Sequence, residues 1–564
     1  MSRKVFLNLL QCLLFLFFLV FFILPIVQVL RGGFLDERGH FTVLYLAEVF
    51  RNPLYLEGLV NSFAIAVAST MMAFVVALPL AWIADRYDFW GKKLLSAGIL
   101  LPMILPPFVG ALGMQQIFGR YGCLNMVLVK TGLLDPASAV DLLGGGFWGI
   151  VLIEALHLYP ILYLNTVAAF ANVDPLLGEA AANLGCVGLR RFRKITLPLI
   201  MPGIFAGGAI VFIWSFTELG TPLMFNYERV TAVQIFNGVN EIGNNAMPYA
   251  LVIVMMCAAA GLYLLAKVAL GRQAYAMTTK AGISSGQVRL RGTKSAVALA
   301  VFGSFVFISI LPHLGVIGLS LGRSWYRSVL PTNLTLAHFE AALGHNLTVP
   351  SILNSVKFAG FAVMLAMLVG VFVAYLVVRC RVKGSWLLDC LAMLPLAVPG
   401  LVLAFGYLAM SQKGHFLHFL DPIENPAVLL IVAYAVRRLP YVVRAAVAGL
   451  QQVSESFEEA AKNLGASPFL TFRRITVPLI TANLIAGGIL AFSFSMLEVS
   501  DSLILAQRSM YFPITKAIYE LSMLLGQGQA LSAALGVWTM VFLGTSLVMA
   551  SHFLGKKLGA LFRV

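Results

Sequence analysis

The chain has 564 residues, of which 60% are hydrophobic and 11% charged, and its formal net charge is +15. That balance excludes a water-soluble globular domain and indicates a polytopic membrane protein. In a soluble protein such a charge would suggest a nucleic-acid partner. Here the basic residues fall in alternate loops between apolar stretches, which is the distribution of cytoplasmic loops, so no nucleic acid is expected.

At about 20 apolar residues per crossing, around twelve helices fit the chain. The first apolar stretch, residues 5–30, follows Arg3 and Lys4 as in a signal peptide, but it is too long and has no small-residue cleavage site. It reads as an uncleaved first helix. Further spans are expected near residues 58–84, 94–118, 147–172, 201–222 and 247–270. A second set is expected near 295–320, 351–378, 386–410, 426–450, 481–505 and 530–554. Residues 271–294, rich in Gly, Ser and basic side chains, form a cytoplasmic linker between the halves 1–270 and 295–564. Prolines 102, 106, 107, 395 and 399 fall inside expected spans, where they kink helices for packing or free carbonyls to line a path. The six cysteines show no C-x-x-C pairing, so neither a metal cluster nor a disulfide framework is indicated.

The halves repeat. Asn61-Ser62 recurs as Asn354-Ser355, Ala81 and Arg86 as Ala374 and Arg379, and Gly91 as Gly384, all at an offset of 293. Beyond an outer loop between Gly119 and Gly146 that is longer in the first half, the offset becomes 280. An even number of spans per half gives both the same orientation, related by a pseudo-twofold axis along the membrane normal. At the second offset lie two polar loops, about 173–200 and 453–480, carrying Glu179-Ala180-Ala181 with Gly185 and Glu459-Ala460-Ala461 with Gly465. Each reads as a short helix capped by Asp174 or Ser454, a glycine stop and a second short basic helix, with Pro198 or Pro478 opening the next span. In the second copy Ser456 and Glu459 offer an alternative capping box.

This pattern, E-A-A followed by glycine and then I-x-x-P-L-I, resembles the EAA loop of bacterial type I (MetI-like) ABC importer permeases, and two copies in one chain resemble the fused permeases of the ferric-iron and thiamine branches. The resemblance implies an all-α polytopic membrane protein of two tandem six-helix MetI-like halves in the bacterial inner membrane, and the alternation of basic loops places both termini in the cytoplasm. It implies two copies of an ABC ATPase subunit docked on Glu179, Ala180, Ala181, Gly185 and Glu459, Ala460, Ala461, Gly465, and a solute-binding protein on the outer face. The sequence contains no G-x-x-x-x-G-K-[ST] phosphate loop, so ATP and Mg are expected on the partners and no cofactor on this chain. No bond chemistry of its own is expected.

Ionisable residues within the expected spans are costly in lipid unless paired or wetted. Glu218 and Glu498, 280 residues apart, offer hard oxygen ligands for a cation such as ferric iron, or serve as helix-end groups bonded to neighbours. Arg437 and Arg438, with His157 equivalent to Arg437, favour an anion, or the arginines pair with Glu498 or Asp389 and hold the fold. The best match of substrate is ferric iron, with thiamine, a polyamine or a phosphorylated small molecule as alternatives. From another class, a proton-coupled secondary transporter acting through Glu218 and Glu498 is the rival reading.

Overall fold

The computed structural model describes residues 3–36, 38–243, 245–271, 287–415 and 417–554. The first half runs α1 (Leu7–Phe34), α2 (Pro53–Arg86), a bent pair α3 (Lys92–Ile104) and α4 (Pro107–Phe118), then α5 (Phe147–Ala171). Next come α6 (Pro175–Asn183), the long α7 (Gly188–Phe216), short helices α8 (Gly220–Met224) and α9 (Thr231–Asn237), and α10 (Met247–Gly271). The second half repeats this order. Its members are α11 (Gly292–Leu321), α12 (Thr348–Cys380), the bent pair α13 (Ser385–Leu396) and α14 (Gly400–Met410), and α15 (Ala427–Gln452). They continue with α16 (Ser456–Asn463), α17 (Pro468–Met496), α18 (Ser500–Leu505), α19 (Ile514–Ser522) and α20 (Gly528–Leu554).

Among the described residues, eight helices are long and apolar enough to cross a membrane alone, and counting each bent pair as one span brings the number to ten. The remaining expected positions are held by α10 and by α15, whose Arg437, Arg438 and Arg444 make it the least apolar of the set. Of the expected linker, residues 272–286 lie outside the described residues. Val288–Arg289 pairs in parallel with Tyr87–Asp88 just before α11 begins.

Two expectations change. The spans near 94–118 and 386–410 are broken rather than kinked, with bends of 101° and 103°. Pro106 and Pro107 lack amide hydrogens and push the residue before them to extended backbone, so Leu105 leaves the helix at φ −98°, ψ 129°; Pro399 ends α13 in the same way. The second short helix of each polar loop is also no separate element. It passes through a π-wound turn, Phe192–Thr196 or Phe472–Thr476, directly into the membrane span.

Within each half the packing is the same: α2 lies against α5 and α7, and α12 against α15 and α17. Between halves the first spans are exchanged. α11 packs on α4 of the first half, and the end of α1 packs on α14 of the second. The contacts are close backbone approaches at equivalent glycines, as membrane helices use where small residues let them meet. A Cβ at Gly113 would collide with the Pro312 carbonyl oxygen, and one at Gly406 would lie 2.7 Å from that of Pro25. Tyr407 Oη donates to the Phe21 carbonyl at 2.6 Å, and Tyr159 Oη to Ser309 Oγ at 3.2 Å.

This exchange predicts that Gly113→Val lowers the thermal stability of the detergent-solubilised protein by ~2 kcal/mol or more, the cost of overpacking a filled contact. Gly303→Val on α11, where a Cβ meets nothing within 4 Å, is the control and is expected to be near neutral. Equal melting temperatures for the two variants would contradict the interlocked arrangement.

Candidate functional site

The centre of the molecule is built where α7 and α17 stop. Each ends in an unwound turn, residues 217–219 and 497–499, before the short helix that follows. Glu218 and Glu498 sit in these turns rather than inside the spans. The turns meet across the pseudo-twofold axis: a Cβ at Gly220 would lie 2.9 Å from Val499 Cγ1.

The two carboxylates are used differently. Glu218 Oε1 accepts from the backbone N–H groups of Gly220 at 3.1 Å and Thr221 at 3.3 Å, capping the start of α8. Thr221 Oγ1 in turn donates to Glu154 Oε1 at 2.9 Å, and Glu154 is buried on α5. Glu498 turns instead to α15, where its two oxygens pair with the guanidinium groups of Arg437 and Arg438. Arg438 also donates to the Phe494 carbonyl at 3.0 Å, and Arg437 Nη1 lies 3.6 Å from Oδ2 of the fully buried Asp501. The Glu498 carbonyl accepts from Ser502 Oγ at 2.6 Å and Thr515 Oγ1 at 2.7 Å, so this unwound turn keeps its backbone satisfied. The arginines therefore pair with Glu498 and not with Asp389. The ion pairs of the cluster all lie in the second half.

His157 and Arg437, equivalent in the repeat, both reach the break of the bent pair in their own half. His157 Nδ1 meets the Pro102 carbonyl at 2.9 Å, and the Arg437 guanidinium packs on Gly400, where a Cβ would collide with it. Three members of this cluster are absent from the sequence reading: Glu154, Thr221 and Tyr434. The repeat holds the missed signal. At the offset of 280, Glu154 aligns with Tyr434 and Thr221 with Asp501, so each half places one carboxyl and one hydroxyl at these positions in opposite order. Tyr434 Oη lies 2.7 Å from Ser502 Oγ, one residue beyond Asp501.

The polar loops form helical knuckles at one end of the molecule. Asp174 caps α6 by accepting from Leu176 N at 2.9 Å, while Ser454 Oγ accepts from Ser456 N at 3.3 Å and α16 starts at Ser456. Gly185 and Gly465 take φ of +76° and +84°, the left-handed stop that a side chain resists. Glu179, Ala180, Glu459 and Ala460 are exposed, Ala181 is buried and Ala461 half-buried. Beside them Leu184 is 87% and Leu464 89% exposed, with Leu189 and Phe469 also exposed, so each knuckle presents an apolar surface bordered by a carboxylate. Exposed apolar patches rimmed by polar groups mark interaction surfaces.

A family described as the inner membrane component of binding-protein-dependent transport systems matches residues 77–277 and 366–552, one copy in each half. The chain belongs to this family. It is a fused, two-domain type I importer permease. The ferric transport system permease protein FbpB of Actinobacillus pleuropneumoniae is 28% identical over 466 residues, 81% of this chain and 64% of that protein. The Fe(3+)-transport system permease protein FbpB 2 of Haemophilus influenzae is 24% identical over 81% of this chain and 83% of its own length. A shorter relative, the spermidine/putrescine transport system permease protein PotB of H. influenzae, is 30% identical over 35% of this chain and 69% of its own. Members of the family work with ATPase and solute-binding partners, and the relatives are transport subunits rather than enzymes.

Proposed function

We propose that this permease carries ferric iron into the cytoplasm across the bacterial inner membrane by alternating access, with halves 1–270 and 295–564 joined by the linker 271–294. Two copies of an ABC ATPase dock on Glu179, Ala180, Ala181, Gly185 and on Glu459, Ala460, Ala461, Gly465, at the cytoplasmic face that also holds both termini. A binding protein delivers the cargo from the other side. ATP and Mg belong to the partners, and this chain carries no cofactor.

The observation that supports the docking reading best is the pair of knuckles, in each of which the second short helix runs without a break into the span that ends at the central cluster. A push on the knuckle is thereby delivered to Glu218 or Glu498. Support for iron comes from the ferric relatives and from a junction rich in carboxyl groups, hard oxygen ligands suited to a highly charged cation in transit. Glu218 and Glu498 would be the transient iron contacts. Arg437 and Arg438 neutralise Glu498 until the junctions part, and His157 steadies the broken span beside the path.

The test is uptake of labelled ferric iron, molybdate and spermidine in cells lacking the gene, with and without its restoration. Iron alone is expected to depend on the gene. Glu218→Gln, whose amide oxygen still accepts the capping bonds, is expected to slow iron uptake severalfold with the complex intact. Dependence of molybdate or spermidine in place of iron would overturn the substrate, and full uptake by Glu218→Gln would remove that carboxylate from the path.

A further inference from the structure

In the second half, the end of α12 is locked to the knuckle. Arg379 lies in a π-wound turn, Leu376–Cys380, and its side chain is 6% exposed. Its Nη2 donates to the carbonyls of Leu450 at 2.9 Å and Val453 at 2.6 Å, at the end of α15. Its Nε lies 3.2 Å from Glu458 Oε1 and its Nη1 3.3 Å from Glu455 Oε1, both in the second knuckle. Glu458, itself buried, also accepts from Thr476 Oγ1 at 3.1 Å, in the π-wound turn of α17. One guanidinium thus joins α12, α15, α16 and, through Glu458, α17.

Among the described residues, the first half has the arginine without the equivalent carboxylates. Arg86 is the equivalent of Arg379, but the positions of Glu455 and Glu458 are occupied by Pro175 and Gly178. Arg86 lies over the Trp82 ring at 5.8 Å. The end of α2 is held by another element: Lys92 Nζ donates to the carbonyls of Ala84 and Tyr87 at 2.6 Å each and to Gln287 Oε1 at 3.1 Å, and Gln287 Nε2 donates to Ala84 O at 3.2 Å. Together with the pairing of Tyr87–Asp88 on Val288–Arg289, this ties α2 to the strand before α11 and leaves α6 free of it.

We infer that the two knuckles are mechanically unequal: the second drives α12 directly through Arg379, which acts as a positioning residue, while the first moves its half without such a link. This rests on the reading that the knuckles receive the ATPases. A closing ATPase that displaces α16 carries α12, α15 and α17 as one body, because separating them would strand a buried guanidinium and a buried carboxylate. Displacement of α6 has no such guanidinium to carry α2 with it.

The experiment uses the full complex with its ATPases and binding protein in proteoliposomes, reading ATPase retention and solute imported per ATP hydrolysed. Arg379→Ala and the isosteric Glu458→Gln are each expected to lower solute per ATP about tenfold, the size of a typical coupling between sites, with both ATPases retained. Arg379→Lys, which keeps the charge, is expected to recover part of the loss. Arg86→Ala is expected to change the ratio less than about twofold. Retained ATPases with equal losses from Arg379→Ala and Arg86→Ala, or with no loss from Glu458→Gln, would overturn the inference alone. A wild-type complex that holds no ATPase would overturn the docking reading and the inference with it.

Discussion

Glu498→Gln is expected to destabilise the protein by ~3–5 kcal/mol, the cost of stranding buried charge by removing one partner. Glu498 is 5% exposed and serves two guanidinium groups at once, one of which, Arg438, is itself buried. Asp501 is left as the remaining nearby carboxylate, at 3.6 Å from Arg437. Glu218→Gln is the contrasting change. Its carboxylate accepts from the backbone N–H groups of Gly220 and Thr221, bonds that an amide oxygen also accepts, so its cost should stay under ~1 kcal/mol. Thermal unfolding of the two purified variants checks this pair. Similar melting temperatures would show that the matched carboxylates are equivalent after all.

Gly465→Asp is expected to release the ATPase from the second knuckle while sparing the membrane fold. A Cβ at Gly465 meets nothing within 4 Å, so no packing is lost, but φ of +84° disfavours any side chain there. The new carboxylate lies next in sequence to the exposed Leu464, on the apolar surface offered to the partner. Loss of one such contact region is worth roughly 2 kcal/mol or more, about a thirtyfold weakening of that docking event. Gly185→Asp should do the same at the first knuckle. Co-purification of ATPase subunits at the wild-type ratio from cells carrying both substitutions would contradict the docking reading.

Much of this architecture was legible because the chain states it twice. The repeated Asn-Ser pair marks one device in both halves. Ser62 Oγ accepts from Thr231 N at 3.0 Å and Ser355 Oγ from Ile514 N at 2.7 Å, while Asn61 and Asn354 donate to the carbonyls of Arg229 and Met510 at 2.9 Å each. Its spacing was visible, but its purpose was not, since the partners lie more than 150 residues away. The glycine stops and Asp174 cap were readable because caps are local chemistry. The helix breaks were half-readable: prolines announce a disruption, but a bend of about 100° depends on what fills the inside of the corner, here His157 on one side and Arg437 on the other.

The central cluster was harder. Matching Glu218 with Glu498 by position suggested a symmetric pair, yet their partners differ because Arg437 and Arg438 occur in one half only. Glu154 escaped notice because its counterpart is Tyr434, so a search for repeated carboxylates passes over it. Comparing the halves for what they exchange, rather than for what they share, brings out both Glu154–Thr221 and the Arg379 lock.

The most direct test of the account is transport in proteoliposomes containing this chain, its ATPases and its binding protein, with labelled ferric iron outside and ATP supplied to the ATPase side. Uptake that requires ATP and the binding protein, and that persists when the proton gradient is collapsed, is the predicted result. Uptake that proceeds without ATP, or that stops when the gradient is collapsed, would contradict it.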